Sequence, residues 1–178
     1  MRPPYRAAPL AAALLLLIPC TATAEQPLDG YRGAEFGMSV EELRASLDTD
    51  DIVTTNYEET PAGDVIIDGH LKEDENTGVR YVFPGGRDEL ALVVEFRPDT
   101  TEADALKADL SERYGEPWAE DMSEAWYEQL KHDMPNGVES LMVWGGDAPH
   151  RSRFVRLWAF DDYLSVEYLD TELLQGAP

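Results

Sequence analysis

Cysteine is almost absent from this sequence, which contains one, Cys20, among 178 residues. Cys20 lies in an N-terminal segment with the features of an export signal, so we expect the exported chain to contain no cysteine. Such a chain has no disulfide, no thiol nucleophile and no thiolate ligand for a metal. It must be stabilised by its hydrophobic core, and it is long enough to bury one as a single domain.

Long apolar runs are also missing, apart from one near the N-terminus. Arg2 and Arg6 precede an apolar run over residues 11–18, and small residues follow at positions 22–24. This is the pattern of a secretory signal peptide. We therefore predict a signal peptide over residues 1–24, with cleavage after Ala24, and a periplasmic or secreted protein.

Membrane attachment is the less favoured alternative. Residues 17–20 resemble a lipoprotein signal, but Pro19 occupies the place of the small residue that should precede Cys20. Lipid anchoring at Cys20 is therefore not expected. No other run approaches the ~20 apolar residues of a transmembrane helix, so we expect no transmembrane segment.

Basic residues are scarce: 14 Lys and Arg stand against 36 Asp and Glu, a net charge of −22. Such a field repels nucleic acid and anionic membrane surfaces, which excludes both as expected partners. It favours cations and basic protein surfaces. It is also compatible with a hydrated acidic surface that has no specific partner.

Motifs for catalysis and metal binding are missing too. The three histidines, His70, His132 and His150, have no zinc-site spacing, and the sequence contains no nucleophile elbow, calcium loop or phosphate-binding loop. We therefore expect no catalytic residue, no metal and no cofactor. One alternative stays open: Glu95 and Glu167 could form the carboxylate pair of a hydrolase, although both are expected on the wetter face of a sheet.

The longest strongly apolar run after the signal, residues 90–96, predicts a central strand. Alternate residues from Leu90 to Phe96 fall on one side and those from Ala91 to Arg97 on the other. This pattern indicates one fully buried face and a second face that is partly covered.

Two helices and seven further strands are predicted around this run. Ser39 with Glu42 forms a capping box for a first helix that ends after Leu47, and a second helix begins at residues 99–101 and stops at Gly115. Period-two patterns predict strands at residues 52–57, 65–71, 79–83, 124–130, 138–144, 153–160 and 164–169.

The two halves of the chain have the same pattern of predicted elements. Each consists of a capped helix followed by about four strands, over residues 33–98 and 99–172. We therefore predict one α+β domain over residues 25–178. Its two similar halves, possible repeats, would form one curved sheet packed by two helices.

Short fragments resemble a known family. Residues 36–43 read FGMSVEEL, residues 114–117 read YGEP, and Trp126 and Tyr127 follow. These resemble motifs of the outer-membrane assembly lipoprotein family SmpA/OmlA (BamE). The tandem layout is similar to that of β-lactamase-inhibitor proteins. Both resemblances imply a helix-plus-antiparallel-sheet fold that binds proteins and catalyses nothing.

Tryptophan is concentrated in the second half of the chain, at positions 118, 126, 144 and 158. Tryptophan is enriched at protein interfaces, but it also fills cores. We expect Trp126 and Trp158 to fill the core. Trp118 and Trp144 lie beside predicted turns, and with Tyr127 they are the candidate binding residues.

These observations favour an exported, non-catalytic protein that binds another protein of the periplasm or envelope, as an assembly factor, a chaperone-like module or an inhibitor. Two alternatives remain: an exported hydrolase that uses a carboxylate pair, and a protein that binds a small ligand or a cation. The oligomeric state does not follow from the sequence.

The signal peptide leads to a first prediction. When the full chain is expressed in a bacterium that exports it, intact-mass spectrometry should give a protein that begins at Glu25 and carries no lipid, because signal peptidase cleaves after small residues. A product that begins at a lipid-modified Cys20 would show that the lipoprotein interpretation is the correct one.

Overall fold

The computed structural model describes residues 26–175 except positions 48 and 50, so the predicted signal peptide lies outside the described residues. The elements in chain order are β1 (Gly30–Tyr31), β2 (Ala34–Glu35), α1 (Val40–Leu47), β3 (Ile52–Glu59), β4 (Val65–Leu71), β5 (Gly78–Phe83), β6 (Leu92–Arg97), a 3-10 turn (Thr100–Glu102), α2 (Ala103–Tyr114), α3 (Glu120–Leu130), β7 (Val138–Gly145), β8 (Arg153–Phe160), β9 (Leu164–Asp170) and α4 (Thr171–Leu174). The protein is therefore of the mixed α+β class, as predicted.

Strands β3 to β9 form one antiparallel sheet in the described part of the chain. Its order is β3-β4-β5-β6-β9-β8-β7, and β1 pairs with β2 in a separate two-stranded sheet. The strands from each half of the chain remain together, and the halves meet where β6 pairs with β9. The register at this junction places Val93 opposite Tyr168 and Val94 opposite Glu167.

The first face of the sheet is covered by α1 and α2. Leu43 and Leu47 from α1 and Leu106 and Leu110 from α2 are buried against it. These residues recur at helical spacing, so each helix presents an apolar stripe to the sheet. The largest side chains of this first core, all with less than 2% exposure, are Trp144, Tyr81, Tyr168 and Phe83.

The caps of these helices follow the sequence prediction. The hydroxyl of Ser39 accepts a hydrogen bond from the Glu42 amide at 3.2 Å, and the Ser39 amide donates to the Glu42 carboxylate at 2.9 Å. This is a complete capping box. At the other helix, Gly115 follows the last residue of α2 with φ at 84°, a conformation that glycine adopts without strain.

The opposite face of the sheet is covered at one end by α3, which was predicted as a strand over residues 124–130. That prediction is wrong, and so is the expectation that two helices pack the sheet. Ser123, Trp126, Tyr127 and Leu130 recur at the helical spacing i, i+3, i+4 and i+7. Trp126, Tyr127 and Leu130 pack on a second core that contains Trp158. The aromatic pair favours a strand locally, but packing on β7 and β8 selects the helix.

The central strand also differs in detail from its prediction. The regular strand begins at Leu92 rather than at Leu90, although Leu90 and Ala91 are both fully buried. Val93 and Glu95, on the first face, have 0% and 3% exposure, whereas Leu92 and Phe96 on the opposite face are half-buried. The first face is therefore the more deeply buried one at this strand, because α1 and α2 both pack there.

No helix among the described residues is long and apolar enough to cross a membrane.

Two ion pairs lie in one row of cross-strand neighbours on the opposite face of the sheet, which we call the second face. Arg80 lies 2.7 Å from Asp68 at the uncovered end, and Arg156 lies 2.7 Å from Glu167 beneath α3. The Arg156 Nε–H makes no hydrogen bond of good geometry. The Trp158 indole N–H donates to the Glu167 carboxylate at 2.6 Å. The Arg156–Glu167 pair is the more buried, with side-chain exposures of 12% and 11%.

This contrast predicts different costs for two matched substitutions. Glu167→Gln should lower the free energy of unfolding by about 3 kcal/mol, because it leaves a buried guanidinium unpaired. Asp68→Asn should cost less than about 1 kcal/mol, because its partner is exposed to solvent. Urea unfolding measures both values.

Adding Arg156→Met to Glu167→Gln should recover part of the loss, since it removes the unpaired charge. Equal costs for the two single substitutions would contradict this account of the buried pair.

Candidate functional site

Of the three candidate binding residues, Trp144 is fully buried. Its ring lies in the first core, and its indole nitrogen donates to the Ser111 hydroxyl of α2 at 3.4 Å. Strand β7 places alternate residues on opposite faces, so Trp144 points beneath α2 while its neighbours point toward α3. Trp144 therefore offers no surface to a partner, and it is not part of the candidate site.

Trp118 lies in the connection between α2 and α3 and is half-buried. Its backbone amide donates to the Val143 carbonyl, and its indole Nε1 donates to the Gly145 carbonyl, both at 2.8 Å. The ring packs against Trp126 and Phe154, with centroid distances of 5.0 and 5.6 Å. Its polar group is therefore satisfied inside the fold, and the exposed remainder is apolar ring surface.

Tyr127, on α3, is fixed in a similar way. Its hydroxyl donates to the Val138 carbonyl at 3.2 Å, and the Lys131 ammonium lies 5.4 Å from the ring centroid. The hydroxyl bond ties the middle of α3 to the start of β7. Like Trp118, this residue is half-buried and uses its polar atom internally.

Trp118 and Tyr127 line one groove, which we call the β7 groove. It has a volume of about 660 Å³ and runs beside β7, with α3 on one side and Lys107 of α2 on the other. The remaining lining residues are Pro117, Glu120, Ser123, Glu124, Glu139, Ser140, Leu141 and Met142. Three exposed carboxylates face a single lysine, so the groove is acidic with aromatic surface between its charges.

The proposed carboxylate pair is not a pair. Glu95 lies opposite Val166 and Glu167 lies opposite Val94, so the two glutamates point to opposite faces of the sheet. Both are buried, with exposures of 3% and 9%, so the expectation that they lie on the wetter face is wrong. They cannot act together on one substrate.

Glu95 lies at a second concave site, which we call the Glu95 cleft. The cleft has a volume of about 580 Å³ on the first face of the sheet. Glu95 is paired with Arg97, which also contacts Glu102 at 3.1 Å. The other charged and phenolic residues of the lining are Asp29, Tyr31, Arg32, Glu35, Asp109, Arg113 and Tyr114. Four carboxylates and three guanidinium groups line the cleft, so it carries no strong field of one sign.

The tyrosines around Glu95 are held in their neutral form. Burial, followed by the Glu95 charge, raises the pKa of Tyr31 and of Tyr168 well above the ordinary value of about 10. Burial also raises the pKa of Tyr114. The Tyr31 and Tyr168 rings lie 4.9 Å apart, so these phenols and one buried carboxylate form a compact polar cluster under the cleft.

Metal-binding side chains do not converge within residues 26–175: no group of three or more His, Asp or Glu in the described chain is arranged to hold an ion. The histidines are far apart in the fold. His70 lies on β4, whereas His132 and His150 are exposed in connections.

Sequence reasoning missed both the shape of the β7 groove and the Glu95 cleft. A signal for the β7 groove was present, because residues 123, 126, 127 and 130 have the spacing of a helix that carries Tyr127. No local signal identifies the second. The cleft is built from Tyr31, Glu95 and Arg113, which are distant in sequence and meet only through the sheet.

Comparisons of the chain with protein-family models, with curated proteins and with solved structures find no significant match.

The tyrosine cluster predicts a loss of stability in alkali. Phenols with a raised pKa in the folded state stay neutral while those of the unfolded chain ionise. The free energy of unfolding should therefore be unaffected by these groups below about pH 10 and fall as the pH rises above about 10.

Tyr168→Phe should reduce the slope of that decline, as measured by urea unfolding between about pH 9 and 11. Tyr57→Phe, at an exposed position outside the cluster, is the matched control. An equal slope in the Tyr168→Phe variant and the parent would contradict the assignment.

Proposed function

We propose that this is an exported protein that binds another protein through the β7 groove. The observation that carries the proposal is the presence of two half-buried aromatic rings, Trp118 and Tyr127, in one groove lined by three exposed glutamates. Aromatic residues with apolar surface available are typical of the energetic centre of protein interfaces. The location in the periplasm or outside the cell follows from the predicted signal peptide.

The chemistry of the groove favours a basic protein surface as the ligand. The Trp118 and Tyr127 polar atoms are already bonded to the backbone of β7, so they are not free to orient a small polar ligand. What remains is ring surface beside Glu120, Glu124 and Glu139. Lysine and arginine side chains match this arrangement, because their stems pack on rings while their charged ends reach carboxylates.

The net charge of −22 supports the same partner. A strongly acidic protein attracts basic surfaces over a distance, which raises the rate of association at low ionic strength. Complex formation should consequently weaken as salt is added.

A second candidate function is the binding of a small polar ligand in the Glu95 cleft. Its support is a buried carboxylate at the base of a cleft of about 580 Å³ that also contains three arginines. A hydrolytic role would need another carboxylate there, such as Asp109, in place of Glu167. Assays of Glu95→Gln against sugar and ester substrates test this hydrolytic role separately from binding at the β7 groove.

We also infer that the two halves of the domain arose by duplication. The support is the position of β4-β5-β6 and β9-β8-β7 on the two sides of the β6–β9 pair. Helix α3 would then occupy the chain position that β3 has in the first half. The weak sequence similarity of the halves fits an ancient event.

Site-specific photo-crosslinking tests the binding proposal. A photoreactive amino acid at Ser140, which is exposed in the groove, should crosslink one defined protein in cells that export the chain. The double variant Glu124→Lys and Glu139→Lys should reduce the yield at least about tenfold, because it reverses two charges that face the partner.

Glu112→Lys is the matched control, because Glu112 is exposed on α2 and does not line the groove. It should leave the yield of crosslinked product unchanged. A crosslinked product that persists in the double variant would contradict the proposed binding site.

A further inference from the structure

Strand β7 is an end strand of the large sheet, since it pairs only with β8 among the described strands. An end strand presents backbone N–H and C=O groups along its outer side, and these can pair with an added strand. The outer side of β7 faces the β7 groove, because residues 139–142 all line it. The groove therefore contains a strand edge as well as an aromatic and acidic surface.

The hydrogen bonds of Trp118 establish which β7 residues point outward. The Val143 and Gly145 carbonyls both accept from Trp118, which lies outside the sheet. In an antiparallel pair, residues whose backbone N–H and C=O point away from the partner strand alternate with residues whose backbone groups bond to it. Leu141 has the same parity as Val143, so its N–H and C=O also point away from β8. Its side chain is buried in the second core.

This outward segment is bounded at both ends. At one end Trp118 bonds to Val143, and at the other the Tyr127 hydroxyl bonds to Val138. A register shift between Val138 and Ser140 interrupts the ladder to β8 next to that second contact. Between these contacts, residues 139–142 form a short open stretch with α3 on one side and α2 on the other.

The opposite end strand, β3, has a different environment. Every residue of β3 after Ile52 is exposed, and no pocket described in the chain lies along it. It also carries an irregularity between Thr54 and Asn56 and two glutamates at its end. Irregularities and charges are devices that discourage strand pairing. The β7 edge, by contrast, lies in a groove with aromatic side chains at both ends.

We propose that the partner contributes an extended segment that adds to the sheet as a strand beside β7, with basic side chains at alternate positions. This inference rests on the proposed function and names the form of its ligand. Backbone bonds to Leu141 would provide affinity, as in other cases of strand addition. Alternate side chains of an added strand point to opposite sides, so one set faces Glu120 and Glu124 on α3 and the other faces α2.

Synthetic peptides test this geometry. The probe is a capped peptide in which lysine alternates with valine, and the control replaces every lysine with glutamate. Fluorescence of the tryptophans, or calorimetry, measures binding to the exported chain. We expect the lysine peptide to bind at least about tenfold more tightly than the glutamate peptide, and to bind more weakly to Glu124→Lys than to Glu112→Lys.

N-methylation then separates strand addition from simple charge attraction. Two further peptides carry N-methyl groups either on all valines or on all lysines, which removes one of the two alternating sets of N–H donors. Strand addition predicts that one methylated peptide loses at least about tenfold in affinity while the other retains binding. Hydrogen exchange at the Leu141 amide should also slow when the unmethylated peptide binds.

Several outcomes would overturn the inference. One is that both methylated peptides bind as tightly as the unmethylated lysine peptide. Another is that hydrogen exchange at the Leu141 amide does not change when the peptide binds. The third is that the lysine peptide does not bind at millimolar concentration. The proposed function is tested separately: it fails if no defined protein crosslinks through Ser140, or if the crosslinked product is unaffected by Glu124→Lys and Glu139→Lys.

Discussion

The pairing of β6 with β9 is the interaction on which the rest of the fold depends. It joins the strands of the two halves into one antiparallel sheet, and it lies at the middle of the strand order. It also determines which side chains lie on each face of the sheet. Val93 and Tyr168 are buried together on the first face, whereas Val94 and Glu167 share the second. The helices can pack only on faces that this register makes apolar.

The same junction contains the two buried glutamates. Glu95 and Glu167 lie near one another in the strand pair but on opposite faces, and each has its own arginine, Arg97 or Arg156. Buried charges persist only when they are paired and hydrogen-bonded. On the first face the charge lies beneath an open cleft, and on the second it lies under α3. The carboxylates at the centre of the sheet are therefore buried on both faces, with exposures of 3% for Glu95 and 9% for Glu167.

Helix α3 is what makes the second half of the sheet different from the first. It covers one end of the second face with Trp126, Tyr127 and Leu130, and it leaves the corresponding face of β4 and β5 uncovered. Its side next to the sheet edge is a wall of the β7 groove. The aromatic-rich helix α3 thus forms part of the candidate binding site, while it also completes the second core.

How much of this could be predicted depended on whether the controlling interactions are local. The capping box of Ser39 and Glu42, the stop at Gly115 and the residue patterns of strands β3 to β9 are properties of neighbouring residues. The sequence by itself therefore determined α1, α2, the strands of the large sheet and the α+β class. The order of the strands, the burial of Trp144, the separation of Glu95 from Glu167 and the choice of helix for α3 were decided only by the tertiary structure. The strand order and the helical state of α3 depend on contacts between distant segments. The positions of Trp144, Glu95 and Glu167 depend on register, because a shift of one residue moves a side chain to the other face of the sheet.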